Sequence, residues 1–120
     1  METRKYDLED RLVKFACMCL EVCDLLPSTK SGHNLKYQLS KSGTAPALLY
    51  GEAQAAESRS DFIHKMKIAL KELRETRINL RIIIEKPLIS NEKIDAAFKE
   101  ANELIAIFTS SIETAKRKVK

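Results

Sequence analysis

Apolar residues recur at spacings of three and four positions in two long stretches of the chain, one near each end. In the first stretch they are Leu8, Leu12, Phe15, Cys19, Val22 and Leu26. In the last stretch they are Ile94, Phe98, Ala101, Ile105, Phe108, Ile112, Ala115 and Val119. Because this spacing collects side chains on one face of an α-helix, each stretch is predicted to be an amphipathic helix. Pro27 ends the first helix, and Ser90 or Asn91 is expected to cap the last one.

A third helix is predicted from about residue 60 to residue 85, with Ser58 before its start and Pro87 beyond its end. Its main apolar stripe consists of Ile63, Met66, Leu70, Leu73, Leu80 and Ile84. The second helix is predicted from about residue 33 to residue 57 and contains the segment KSGTAPALLYGEAQAAES. A phosphate-binding P-loop is excluded there, because neither Gly43 nor Gly51 begins the required spacing to a Gly-Lys-Ser/Thr triplet.

Pro46 lies inside the second predicted helix, and the helical spacing of apolar residues continues across it. Proline lacks an amide hydrogen and its ring presses on the carbonyl of Ser42, so we predict one helix kinked near Pro46; a full break is the alternative. Small residues are expected to let this helix approach its neighbours closely: Gly43, Ala45, Ala47, Gly51, Ala53, Ala55 and Ala56. Four helices with short connectors predict an all-α, antiparallel up-down four-helix bundle, with residues 1–120 as a single domain.

The third helix carries apolar and charged residues beyond its main stripe. Ile68, Ile78 and Ile82 project from another side, which predicts a second buried surface and hence the interface of a homo-oligomer. A basic sector borders the core stripe and consists of Lys67, Lys71, Arg74, Arg77 and Arg81. Together with the basic end of the last helix, Lys116, Arg117 and Lys118, this sector is a candidate for contacting phosphates of RNA or DNA. The alternative is a solvated helix face with local glutamate pairs.

Composition limits the remaining classes of function. The net charge of +4 suits a polyanion partner but also plain solubility. The chain has no apolar run near the roughly 18 residues of a membrane span and its N-terminus has no signal peptide, so we expect a cytoplasmic protein without a membrane partner.

The candidate chemistry of the chain is sparse. Three cysteines in one segment without a CxxC pair predict reduced core residues rather than disulfides or a metal site. The sequence shows no catalytic arrangement, and Asp61 and His64 are expected to serve structure, so we expect neither enzymatic activity nor a cofactor. Polar links between the second and third helices are expected from Glu52, Arg59 and Asp61.

The run SGTAPALLYGEAQAAESRSDFIHKMKIALKELRETRINLRII resembles the central signature of a bacterial four-helix-bundle family. Proteins of that family were first noticed as products of intervening sequences within genes for large ribosomal RNA. The densest matches are SGT, EAQ, AESR, DFIHK, IALKE, RE and the pair Leu80-Arg81, and a weaker similarity continues at Glu103-Leu104-Ile105. The resemblance implies a small helical bundle that commonly assembles as a pentamer and mostly lacks an assigned activity.

A related branch, the accessory variability determinants of diversity-generating retroelements, is similar in fold. The resemblance to it implies a basic protein that associates with nucleic acid and a reverse transcriptase. The chain departs from the family pattern at Pro46, Leu49 and Gly51, where polar residues are common, and at Asn79, where an aromatic residue is common. Two hypotheses follow: an oligomeric, non-enzymatic accessory protein that binds nucleic acid through its basic surface, or a scaffold that binds another protein.

Overall fold

The computed structural model describes residues 7–118, which form four α-helices and no strand: α1 (Leu8–Leu25), α2 (Lys30–Gln54), α3 (Arg59–Glu85) and α4 (Glu92–Arg117). Each helix starts where a side chain accepts a hydrogen bond from a backbone N–H of the first turn. The capping residues are Asp7, Thr29, Ser58 and Asn91. The cap at Thr29 makes α2 begin before the position expected from its apolar pattern. The predicted position Val119 lies outside the described residues.

The four helices form a compact bundle in which neighbours in sequence pack against each other. Within residues 7–118, α1 and α3 each pack against α2 and α4 but not against one another, so they lie across the bundle from each other. Arg11 near the start of α1 pairs with Glu100 in α4, at 2.6 Å between Nε and Oε2. Glu21 near the end of α1 lies 3.7 Å from Lys93 at the start of α4. The antiparallel up-down arrangement of the four helices stays a prediction.

The buried side of α3 differs from the predicted stripe. Met66, Leu73 and Leu80 are fully buried as expected, but Ile83 is buried and Ile84 is exposed. The centre of the buried face lies along Met66, Ala69, Leu73, Thr76, Leu80 and Ile83. Ala69 and Thr76 are small or polar and add little to an apolar pattern. The predicted stripe is therefore rotated away from the true buried face and includes Ile84 instead of Ile83.

Gly43 allows α2 to pack closely against α1. A Cβ atom added at Gly43 would lie 2.6 Å from Cys19 Cβ and 2.7 Å from Cys19 Sγ, so α1 and α2 approach each other at this point. Gly51 has open space around it, and the expectation that it serves close packing is wrong. The helix continues through the buried Pro46, which excludes the full break. The kink near Pro46 stays a prediction.

Candidate nucleic-acid and self-association surface

The solvent-exposed side of α3 combines cations with exposed isoleucines. We call this surface the α3 outer face and define it as Lys67, Lys71, Arg74, Ile78, Arg81 and Ile82, all of them exposed. Two shallow grooves of about 550 and 440 Å³ run along it and share Ile78. Leu70 and Ile78 contribute apolar surface to the first groove, Lys67, Lys71 and Arg74 contribute its positive charges, and Glu75 contributes a negative one. At about 1.5 Å per residue, the face extends about 21 Å from Lys67 to Arg81.

The cations of the α3 outer face differ in how they are paired. Lys67 and Arg74 form no ion pair or hydrogen bond with any residue in the range 7–118. Lys71 lies 3.8 Å from Glu75, and Arg81 Nε donates a hydrogen bond to Glu85 Oε2 at 2.5 Å. Both of these pairs are exposed and join residues one helical turn apart, so each stabilises the helix only slightly. A phosphate could therefore replace either glutamate at little cost.

Arg77 does not share the outward position of the other predicted cations. It is half-buried, and its Nε atom is buried without a hydrogen-bond partner among the described residues. Its neighbours at one-turn spacing, Leu73 and Leu80, are fully buried, which places Arg77 at the edge of the core. Its long aliphatic stem can cover apolar surface there.

The three isoleucines of the predicted interface differ in their exposure to solvent. Ile68 is half-buried, whereas 46% of Ile78 and 45% of Ile82 is exposed. Ile78 lines the same groove as Lys67, Lys71 and Arg74, rather than a separate apolar side of the helix. The sequence pattern therefore singled out Ile78 and Ile82 but did not show that they lie among the cations.

The basic end of α4 lies apart from this pattern. Lys116, Arg117 and Lys118 are all exposed. Lys116 lies 3.7 Å from Glu113, and Arg117 donates a hydrogen bond to Thr114 at 3.4 Å. Within residues 7–118, these cations form no hydrogen bond or ion pair with α3. They constitute a second, smaller basic patch at the end of a helix whose dipole favours cations there.

Polar contacts between α2 and α3 join pairs of residues that the sequence did not predict. Ser42 Oγ lies 3.0 Å from Thr76 Oγ1 and accepts a hydrogen bond from Asn79 Nδ2 at 3.1 Å. Glu52 pairs with Lys65 at 2.8 Å, rather than with Arg59 or Asp61. Asn79, which departs from the family pattern, is thus part of the contact between helices. The sequence gives no signal for such a contact, because the fold alone brings the two polar residues together.

The cysteines are the candidate reactive groups among the described residues. All three cysteines are free thiols. Cys19 and Cys23 are buried as expected, whereas Cys17 is exposed, so the prediction that it is a core residue is wrong. Burial, followed by the nearby Cys23, raises the pKa of Cys19 to about 12, so Cys19 is a neutral thiol rather than a nucleophile or metal ligand. Within residues 7–118, no three His, Cys, Asp or Glu side chains are placed so that they could hold a metal ion together. The same residues include no helix that is both long and apolar enough to cross a membrane.

The model of the 23S rRNA-intervening sequence protein family matches residues 4–110 of the chain. This chain belongs to that family. A crystal structure of a protein with unknown function from the S23 ribosomal protein family of Bacteroides thetaiotaomicron is similar in fold, with a TM-score of 0.80 and 30% sequence identity. The similarity covers 87% of this chain and 96% of the other. No curated protein matches the chain.

Membership of the 23S rRNA-intervening sequence protein family confirms the resemblance seen in the sequence. The family match includes all of α1, α2 and α3, and hence the whole α3 outer face. It ends within α4, before the basic residues Lys116, Arg117 and Lys118. The relation to the accessory proteins of diversity-generating retroelements stays a prediction.

Proposed function

We propose that this member of the 23S rRNA-intervening sequence protein family is a non-enzymatic, nucleic-acid-associated accessory protein that binds RNA or DNA through the α3 outer face. The observation that carries the proposal is the row of exposed cations in which Lys67 and Arg74 have no carboxylate partner among the described residues. Unpaired cations on a helix surface are free to release counterions from phosphates, which is the main source of non-specific affinity for nucleic acids.

The geometry of the face favours contact with a phosphate backbone over base recognition. At about 3.4 Å of axial rise per phosphate, the roughly 21 Å between Lys67 and Arg81 corresponds to about six phosphates of one strand. None of the residues that define the α3 outer face is aromatic, so it provides no surface on which bases could stack. Binding should consequently depend on salt and little on sequence.

The salt dependence of binding tests this proposal. Filter binding of a single-stranded RNA and of a DNA duplex is measured at several salt concentrations for the wild type and for Lys67→Gln/Arg74→Gln/Arg81→Gln. The plot of log K against log salt has a negative slope, and each phosphate contact contributes about 0.7 to 0.9 to its steepness. Loss of three contacts should therefore make the slope less steep by about 2 to 3.

A matched variant, Lys14→Gln/Lys30→Gln/Lys99→Gln, removes the same charge from exposed positions on the other three helices. Its slope should stay close to that of the wild type. Equal changes in the two variants would indicate a general charge effect and contradict a binding face on α3. Failure of the wild type to retain either nucleic acid at low salt would refute the proposal and leave the scaffold function.

The proposed assembly state is a homo-oligomer, with a pentamer as the size implied by the family resemblance. The support in this chain is the exposure of Ile78 and Ile82, two large apolar side chains one helical turn apart. A reverse transcriptase or another protein is the further partner that the resemblance implies. Light scattering that gives a mass near 13.6 kDa at every concentration would refute the oligomer.

A further inference from the structure

A second exposed apolar strip lies on the opposite side of the bundle, on α1. Val13 is 48% exposed and Leu20 is 42% exposed, although both are large apolar residues. The residues around them are mostly acidic. We define the α1 outer face as these two residues with the exposed carboxylates Glu9, Asp10, Glu21 and Asp24. The exposed Lys14 is a single cation beside four carboxylates.

The α1 and α3 outer faces match in length and are opposite in charge. Asp10 and Asp24 are as far apart in sequence as Lys67 and Arg81, so each strip extends about 21 Å along its helix. Each strip also contains two exposed apolar side chains. Because α1 and α3 lie across the bundle from one another, the two faces cannot meet within one chain.

We propose that the α1 outer face of one copy packs against the α3 outer face of the next copy. The proposal rests on the self-association in the proposed function and names the surfaces that carry it. Carboxylates would lie opposite Lys67, Lys71, Arg74 and Arg81, while Val13 and Leu20 would cover Ile78 and Ile82. Opposite charges at such a contact select the partner and its orientation.

The same charges disfavour a symmetric contact between two α3 helices. Packing α3 against its own copy would bring four cations against the same four cations. They outnumber the neighbouring Glu75 and Glu85, and juxtaposed like charges are unfavourable. The α1–α3 contact is instead head-to-tail, because each copy uses two different surfaces. A head-to-tail contact repeats from copy to copy and closes into a ring when its rotation allows. The charge pattern therefore predicts a head-to-tail assembly rather than a two-fold dimer.

Charge reversal provides the test, with mass measured by light scattering at several concentrations. The α1 variant is Glu9→Lys/Asp24→Lys, and the α3 variant is Lys67→Glu/Arg74→Glu. None of these four residues forms a side-chain ion pair within residues 7–118, so the reversals break no such contact inside the chain. Each variant should lose mass toward 13.6 kDa, and the variant with all four substitutions should regain the mass of the wild type.

A control reverses two exposed cations elsewhere, Lys30→Glu/Lys99→Glu, with the same charge change as the α3 variant. Its mass should equal that of the wild type, and circular dichroism should show equal helicity in every variant. An oligomer whose mass is insensitive to both reversals, or a fourfold variant that stays monomeric, would overturn the α1–α3 contact. A monomeric wild type would overturn self-association itself, while the filter-binding result would stand independently.

The thiol of Cys17 gives a second readout in the unmodified chain. Cys17 is exposed and lies one turn from Val13 on α1, so a neighbouring copy should cover it. Alkylation of Cys17 by iodoacetamide should be several-fold slower at concentrations where the protein is assembled than after dilution to monomer. Equal rates in both states would overturn the contact.

Discussion

A single methyl group placed at two positions of α2 tests the close approach of α1 and α2. In Gly43→Ala, the new Cβ would lie 2.6 Å from Cys19 Cβ, about 1 Å inside an ordinary carbon–carbon contact. In Gly51→Ala, the new Cβ meets no atom within 4 Å. Both substitutions replace glycine inside the same helix, so both gain about 1 kcal/mol of helix propensity.

The difference between the two variants therefore isolates the steric term. Gly51→Ala should stabilise the protein by up to about 1 kcal/mol. Gly43→Ala forces the two helices apart, and overpacking of this kind costs about 1–3 kcal/mol, so it should be less stable than Gly51→Ala by that amount. Urea unfolding followed by circular dichroism at one fixed protein concentration gives both free energies of unfolding.

Removing the facing side chain provides the control. In a Cys19→Gly background the Cβ and Sγ atoms that meet the new methyl group are absent, so Gly43→Ala should there behave like Gly51→Ala. Equal stabilities of Gly43→Ala and Gly51→Ala in the wild-type background would refute the inferred close contact. The same result would mean that α1 and α2 can separate at that point without cost.

Three further outcomes are expected. Burial and then the nearby Glu75 raise the pKa of Glu72, so ionisation of its carboxyl group disfavours the folded state. Glu72→Gln should therefore raise the melting temperature at pH 7. That gain should shrink as the pH falls toward the pKa of about 4.3 that the group has in the unfolded chain. A double-mutant cycle of Arg11→Met and Glu100→Gln, measured by urea unfolding, should give a coupling free energy of about 1 kcal/mol, because Arg11 donates two hydrogen bonds to Glu100 at a partly exposed site. A coupling near zero would show that this ion pair does not stabilise the contact between α1 and α4. Single-stranded RNA should lower the mass of the oligomer in light scattering, because phosphate contact and self-association use the same face of α3; an unchanged mass with RNA bound would contradict that shared use.

The sequence by itself determined the number of helices and most of their ends. Helical periodicity depends only on the order of residues along one element, and caps such as Ser58 and Asn91 act within a single turn. The family resemblance was equally visible in the sequence, and so was the position of Ile78 and Ile82 away from the main apolar stripe of α3. A helical wheel also placed Lys67, Lys71, Arg74 and Arg81 in one sector of α3, but it could not show that Arg77 is half-buried at the edge of the core.

Only the tertiary structure decided where the buried side of α3 is centred and which residues meet between helices. The burial of Ile83 rather than Ile84 depends on where α2 and α4 approach α3, and small or polar residues such as Thr76 conceal that direction in an apolar pattern. The different roles of Gly43 and Gly51 have the same origin, since both are glycines inside one helix and only one has a neighbour. The positions of α1 and α3 across the bundle likewise follow from packing, because the contacts between helices join residues far apart in the chain.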